Sequence, residues 1–462
     1  PRMETRTRSM PRASRARAKA TLVLVIVYAC AVGARADTAK TLCVTNRRVC
    51  AVQADGGLKC WGINNYGQGG QAHANWLPYA TSVIGINGSS DATTAVGVTC
   101  GSLHTCALMK TGAAKCWGLG NYRQIGNGEA LLRTFIDDTF VLSIDGATDA
   151  TRAVSLGAGD THTCAAMLDG TVKCWGSNFK SELTGGYTGA RDPTAVYSGN
   201  VGAGEAAPDT AVAVAIGFRV SLALLEDGTV KCWGYNTFGQ CGTPLPPNNI
   251  VTHGMNQGGD IGVRNPSFVQ DVAGGNLQGV KLLVTGAGSR HACAALETGA
   301  AMCWGKNDKG QLGSPTVDLD MSHAAVAVPG VSHVSSMCVG NAHTCATMSG
   351  GGVKCWGQNT YGQLGNNSTL DSHVPVDVIG IKSAVDIACG WQTTCAHLVD
   401  GSMSCWGGND QSQFSNGRGA AYASSTPVAI PTSVAMAQGP ECTSCQTEAK
   451  ARGFNALCDA TL

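Results

Sequence analysis

Hydrophobic and polar positions alternate over short stretches that end at glycine-bearing turns. His162-Thr163-Cys164-Ala165-Ala166-Met167-Leu168 reads as a half-buried strand, and Asp169-Gly170 as a turn in which glycine is free to take positive φ. Thr171-Val172-Lys173-Cys174-Trp175 is then a second strand, rich in β-branched and aromatic residues. A Gly- and Asn-rich run follows the tryptophan, and a further apolar segment such as Ala211 to Ile216 predicts another strand.

This pattern recurs. Cys-Trp-Gly occurs seven times, at Cys60-Trp61, Cys116-Trp117, Cys174-Trp175, Cys232-Trp233, Cys303-Trp304, Cys355-Trp356 and Cys405-Trp406, with spacings of 56, 58, 58, 71, 52 and 50 residues. Four residues before each cysteine stands Gly56, Gly112, Gly170, Gly228, Gly299, Gly351 or Gly401. Seven residues after each tryptophan stands Gln68, Gln124, Glu182, Gln240, Gln311, Gln363 or Gln413. Three residues after it, six copies carry asparagine (Asn64, Asn178, Asn236, Asn307, Asn359, Asn409). Three or four short strands per repeat of roughly 50 residues predict an all-β propeller of seven blades. The segments Thr426–Ile430 and Ser433–Met436 resemble those preceding the other hairpins. The expectation is that these last strands pair into the first blade and close the ring.

In six copies a second cysteine lies ten residues before the triplet: Cys50/Cys60, Cys106/Cys116, Cys164/Cys174, Cys293/Cys303, Cys345/Cys355 and Cys395/Cys405. A three-residue turn at Lys110-Thr111-Gly112 makes Met109 oppose Ala113. Counting outward, Cys106 then opposes Cys116 at a non-hydrogen-bonded position, where side chains come closest. Six cross-strand disulfides are expected. Two cysteines per blade offer too few ligands for structural zinc. The fourth copy has Leu222 opposite Cys232, leaving Cys232 and Cys241 as either a local bridge or two buried thiols. Cys43, Cys100, Cys338 and Cys389 precede hairpin strands and are placed to pin neighbouring elements.

Composition narrows the class. Of 462 residues 44% are hydrophobic and 14% charged, with 62 glycines and 22 cysteines. That excludes a coiled coil, a multi-span membrane protein and global disorder, and points to an oxidising compartment. Residues 1–36 hold eight basic residues and one acidic residue, so the chain's +1 conceals a net −6 elsewhere. Their basic start, the apolar run Ala20 to Val32 and Ala34-Arg35-Ala36 predict a secretory signal cleaved after Ala36. The apolar run is shorter than the ~20 residues a membrane span needs. An organelle transit peptide or a basic nucleic-acid arm are the other readings of this segment. The mildly acidic remainder lacks a nucleic-acid footprint.

His-Thr-Cys-Ala, Asp-Gly-Thr-Val, Cys-Trp-Gly and Gly-Gln-Leu-Gly together resemble the repeat of the regulator of chromosome condensation family, best over 341–365 and across about 41–440. The resemblance implies a seven-bladed β-propeller, and the cysteine-bearing repeat is similar to that of secreted members. The family includes a small-GTPase exchange factor, ubiquitin-ligase propellers and a secreted β-lactamase inhibitor, so fold does not give function. The domains expected are a leader over 1–36, a propeller over 37–440 and a cysteine-bearing tail over 441–462.

Candidate chemistry is sparse. His104, His162, His291 and His343 share a column two residues before the hairpin cysteine, on different blades, and are expected to hydrogen-bond backbone rather than to bind metal. The glutamine column is expected to cap turns or bridge blades. No nucleophile elbow, phosphate loop or HExxH motif occurs, so no catalytic residue and no cofactor is assigned. Cys442-Thr443-Ser444-Cys445 lacks the βαβ setting of a redox motif, and with Cys458 belongs to a tied tail. The long spacing across Gly242–Lys281 marks a projecting loop, and Trp76, Tyr79, Tyr187 and Tyr197 are candidate exposed aromatics. Asn87, Asn366 and Asn367 head glycosylation sequons. The expectation is a monomeric, secreted, non-enzymatic module that binds an extracellular or cell-surface protein through blade-edge loops. A glycan ligand, an extracellular enzyme and a GTPase regulator are the alternatives.

Overall fold

The computed structural model describes residues 40–431, apart from 46, 73, 131, 134–140, 184–209, 245–249, 254–259, 316–319 and 418–421. The expected leader, the tail beyond 440, and Tyr187 and Tyr197 lie outside the described residues.

Seven antiparallel sheets follow one another along the chain, and no described residue is helical. Blade 1 comprises Leu42–Val44, Arg48–Val52, Gly57–Ile63 and Trp76–Asn87, ordered from the innermost strand outward. Blades 2, 5, 6 and 7 repeat this four-stranded order, starting at Ala95, Val280, Val334 and Ala384. Blade 3 shows three described strands from Ala153. Blade 4 starts at Ala211 and has five. Its extra strand, Ile250–His253, pairs with Asp260–Phe268, so the long insertion widens this blade's outer edge.

The hairpins take the register counted from the sequence. Met109 N donates to Ala113 O, and Cys106 faces Cys116. All seven turn glycines have φ between 77° and 84°. That is the left-handed region, where a Cβ is strained. The next blade also crowds six of these turns, Gly401 being open: a Cβ on Gly351 would sit 2.5 Å from Lys382 O.

The core lies between the blades. Each triplet tryptophan is essentially buried and packs into the apolar layer of the preceding blade. Trp117 joins Val52, Leu58 and Val83 of blade 1, and Trp356 joins Leu312, Val326 and Val328 of blade 5. At the end of the ring Trp61 of blade 1 packs with Met403 and Phe414 of blade 7.

For Thr426–Ala429, ring closure differs from expectation. The first blade is already filled by residues 42–87, and Thr426–Ala429 forms part of the outer strand of blade 7 rather than entering blade 1. Ser433–Met436 lies outside the described residues. Leu42–Val44 occupies the innermost position of the first sheet. Blades 7 and 1 instead meet face to face. Trp61 Nε1 donates to Gln413 O at 2.7 Å, Trp76 Nε1 to Gln411 O at 2.8 Å, and Ala80 N to Ser415 Oγ at 2.9 Å. Lys40 Nζ, just before the first strand, donates to Met337 O and Ile387 O of the inner strands of blades 6 and 7.

Candidate functional site

In an antiparallel blade the turn between the first two strands and the loop after the third emerge on the same face. The Gly- and Asn-rich runs after Cys-Trp-Gly therefore share one face with turns such as Phe218-Arg219 and Ser289-Arg290. The repeat columns build this face. Each glutamine-column side chain accepts the backbone N–H two residues earlier, as Gln363 Oε1 does from Tyr361 N at 2.9 Å. Each asparagine carbonyl accepts the N–H five residues on, as Asn359 Oδ1 does from Leu364 N at 2.9 Å. The loops are thus closed by their own side chains.

The same residues join neighbouring blades. The backbone carbonyl at every glutamine-column position accepts the indole N–H of the next blade's triplet tryptophan, at 2.7–3.0 Å around the whole ring. Capping and bridging, alternatives in the sequence, are both made by this column. In five blades the residue before the hairpin cysteine, or before Leu222 in blade 4, adds a hydroxyl to that carbonyl: Thr105, Thr163, Ser221, Thr344 and Thr394.

The histidines end on these hydroxyls. His104 Nε2 lies 2.8 Å from Thr163 Oγ1, His162 Nε2 2.9 Å from Ser221 Oγ, His291 Nε2 2.8 Å from Thr344 Oγ1 and His343 Nε2 2.9 Å from Thr394 Oγ1. The expected backbone partner is corrected to a side-chain hydroxyl of the next blade. That hydroxyl already gives its proton to a glutamine-column carbonyl, so Nε2 must donate and Nδ1 carries no proton; Nδ1 is without a partner in His104, His162 and His343, whereas in His291 it lies 2.8 Å from Ser289 Oγ. Burial pushes all four histidines down to about 3, with Arg48 and His162 adding to the effect at His104. Their columns match across blades: Val220 faces a blade with Ala292, and Thr393 one with Val49. The hydroxyl column carried this signal and was not singled out from the sequence. Glu182, in the glutamine column, is buried, which raises its carboxyl above the ordinary range despite hydrogen bonds from Lys180 N and Ser177 Oγ.

All eighteen described cysteines are paired at bonding distance. The six hairpin pairs have Cα atoms 4.0–4.1 Å apart. Cys232 meets Cys241 locally. Cys43–Cys100 links blades 1 and 2, and Cys338–Cys389 links blades 6 and 7.

Other sequence candidates separate. Trp76 is tied into the seam between blades 7 and 1, whereas Tyr79 is 61% exposed. Asn87 and Asn367 are exposed, while half-buried Asn366 accepts a hydrogen bond from Asn359.

One feature of the loop face was missed. Arg219 and Arg290 occupy one repeat column on adjacent blades, and Tyr235 and Phe238 follow the fourth tryptophan. The structure interleaves them: Arg219 Cζ is 5.3 Å from the Phe218 ring, Arg290 Cζ 5.1 Å from it and 5.0 Å from Phe238, and Lys306 Nζ 5.4 Å from Phe238. Tyr235 braces both phenylalanines edge-on at 6.1 and 6.2 Å. A cleft of about 150 Å³ adjoins them, lined by Arg290, Lys306, Asp308, Lys309, Gln311 and Gln358 among others.

A ring of seven sheets, with loops closed by their own side chains and two of its blade junctions tied by disulfides, defines a seven-bladed β-propeller. Residues 351–397 match the family model Regulator of chromosome condensation (RCC1) repeat, and a second model of that repeat matches 95–124, 153–181, 211–240, 285–311, 334–363 and 384–413. Blades 2 to 7 thus each contain a stretch that matches the RCC1 repeat. It is 26% identical over 318 residues to the ultraviolet-B receptor UVR8 of Arabidopsis thaliana, covering 68% of this chain and 64% of that one. To the E3 ubiquitin-protein ligase HERC2 of Homo sapiens it is 27% identical over 299 residues, covering 64% and 5%. It thus spans less than two thirds of either relative. Among solved structures, Prp20p from Saccharomyces cerevisiae superposes with a TM-score of 0.65 at 16% identity, covering 87% of this chain and 89% of that one. Human WBSCR16 superposes with a TM-score of 0.60 at 20% identity, covering 76% and 84%. These structural likenesses describe the fold.

Proposed function

We propose that this RCC1-repeat propeller is secreted and acts, without catalysing a reaction, as a monomeric module that binds an extracellular or cell-surface protein through its loops, as a scaffold or an inhibitor. The observation that carries the reading is the pairing of every described cysteine, including two pairs that tie adjacent blades. Such a set of disulfides persists only outside the reducing cytosol. The leader-like segment over 1–36 supports the same address. Protein partners accord with the description of Prp20p as binding Gsp1p and histones.

The test is peptide mapping of the natural protein under non-reducing conditions, together with its N-terminus. A start at Asp37 and nine oxidised pairs are expected. An intact leader with free thiols would overturn secretion and make regulation of an intracellular GTPase the lead. A glycan ligand is separated by an oligosaccharide array, and a catalytic role by activity lost on changing one polar loop residue in folded protein.

A further inference from the structure

The interleaved cations and rings of blades 4 and 5 are more than packing. A cation within about 6 Å of a ring centroid is held by the ring's quadrupole. A guanidinium held through its face keeps its in-plane N–H groups for acceptors, and two such groups side by side suit carboxylates. Arg219 and Arg290 make no ion pair within 4.0 Å among the described residues, although the buried Glu182 carboxyl feels the charge of Arg219, and Arg219 Nε is a buried donor without an acceptor. Beside them the cleft already holds one carboxylate: Asp308 accepts from Lys306 Nζ at 2.8 Å and from Gln311 Nε2 at 3.1 Å. Burial alone would raise its carboxyl, but these hydrogen bonds together with the charges of Lys306 and Lys309 hold it below the usual range.

We infer that the Arg219–Phe218–Arg290–Phe238–Lys306 ladder and its cleft bind an acidic peptide segment of the partner protein, with carboxylates on the arginines and apolar side chains against the rings. This rests on the protein-binding reading above and names the surface and the chemistry of the partner. The far side of the ring supports it. The hairpin turns and the loops between blades emerge there and bring Asp55, Asp145, Asp169, Asp227, Asp271 and Asp400 to that face. An acidic segment is repelled from that face and steered to the ladder. Rings set between the cations match a polypeptide in which acidic and apolar residues alternate, and fit a uniformly sulfated sugar chain less well.

The experiment is fluorescence anisotropy of the full chain with a short labelled peptide alternating Glu and Leu, its Gln counterpart, and a heparin-derived oligosaccharide of equal charge. The Glu peptide is expected to bind with affinity that falls as salt rises, and the Gln peptide to bind at least about tenfold more weakly. The double variant R219Q/R290Q, with an unchanged melting temperature, is expected to lose about tenfold or more. Asp169→Asn on the far face leaves binding unchanged. The inference is overturned by absent Glu-peptide binding, by binding indifferent to R219Q/R290Q, or by tighter binding of the oligosaccharide. It is equally overturned if sedimentation shows a dimer that R219Q/R290Q dissolves, since a second copy would then occupy the face. Failure here with nine disulfides and a secreted chain removes this surface and leaves the protein-binding reading standing.

Discussion

The neutral imidazoles between blades couple this fold to pH. His104, His162, His291 and His343 each titrate near 3 in the folded protein because of burial, against an ordinary value of 6.5. As pH falls the unfolded chain therefore takes up these protons first. Their contribution is complete above about pH 6.5 and is lost progressively from there toward pH 3, at about 1.4 kcal/mol per pH unit for each histidine. Urea midpoints measured from pH 8 to 4.5 should be flat on this account above 6.5 and fall steeply below it. Replacing His343 by Gln should make the acid limb shallower. Glu182 has the opposite sign. Its raised pKa means that its stability is present at low pH and lost as pH rises through the folded value. Glu182→Gln restores the residue found in the other six repeats and should raise stability at pH 8 by roughly 1 kcal/mol, seen as a higher urea midpoint.

Six of the seven hairpins combine a turn that demands glycine with strands that bring two cysteines together; in blade 4 Leu222 faces Cys232. Gly351→Ala puts a Cβ at φ 77° and 2.5 Å from Lys382 O, so a loss of roughly 2 kcal/mol or more is expected by denaturant unfolding. Removing the Cys345–Cys355 pair by double alanine substitution should cost about 2–3 kcal/mol, since the bridge closes a short loop. The turn and the pairing were legible because strand register has a period of two and a counted turn sets which residues face each other. The five-stranded outer edge of blade 4 was not, because a long spacing does not reveal whether an insertion pairs or projects.

Over the whole ring, stability depends on contacts between blades, and these differ from one junction to the next. Gln311 O accepts both Trp356 Nε1 and Thr344 Oγ1, whereas at Gln240 O the next blade offers Trp304 Nε1 beside Ala292, which has no hydroxyl. Trp304→Phe should therefore destabilise by about 1–3 kcal/mol, as an acceptor is left buried. Trp356→Phe should cost closer to about 1 kcal/mol beyond lost packing. Paired thermal melts decide the order. The disulfides between blades 1 and 2 and between blades 6 and 7 lie on either side of the seam where blade 7 meets blade 1, and no disulfide among the described residues crosses that seam.

The amino-acid sequence alone determined the number of blades, the hairpin register, the cysteine pairs within hairpins and the glycine turns. All of these follow from spacing along one repeat, where local geometry leaves a single arrangement. Tertiary structure decided what one repeat presents to the next. Histidine bonds a hydroxyl rather than backbone because the neighbouring blade brings Thr163, Ser221, Thr344 or Thr394 to within 2.9 Å of it. Closure by packing, the Cys43–Cys100 and Cys338–Cys389 links, and the ladder of Arg219, Phe218, Arg290, Phe238 and Lys306 arise likewise. They join residues far apart in the chain, and the rotation of each blade against its neighbour sets their distances.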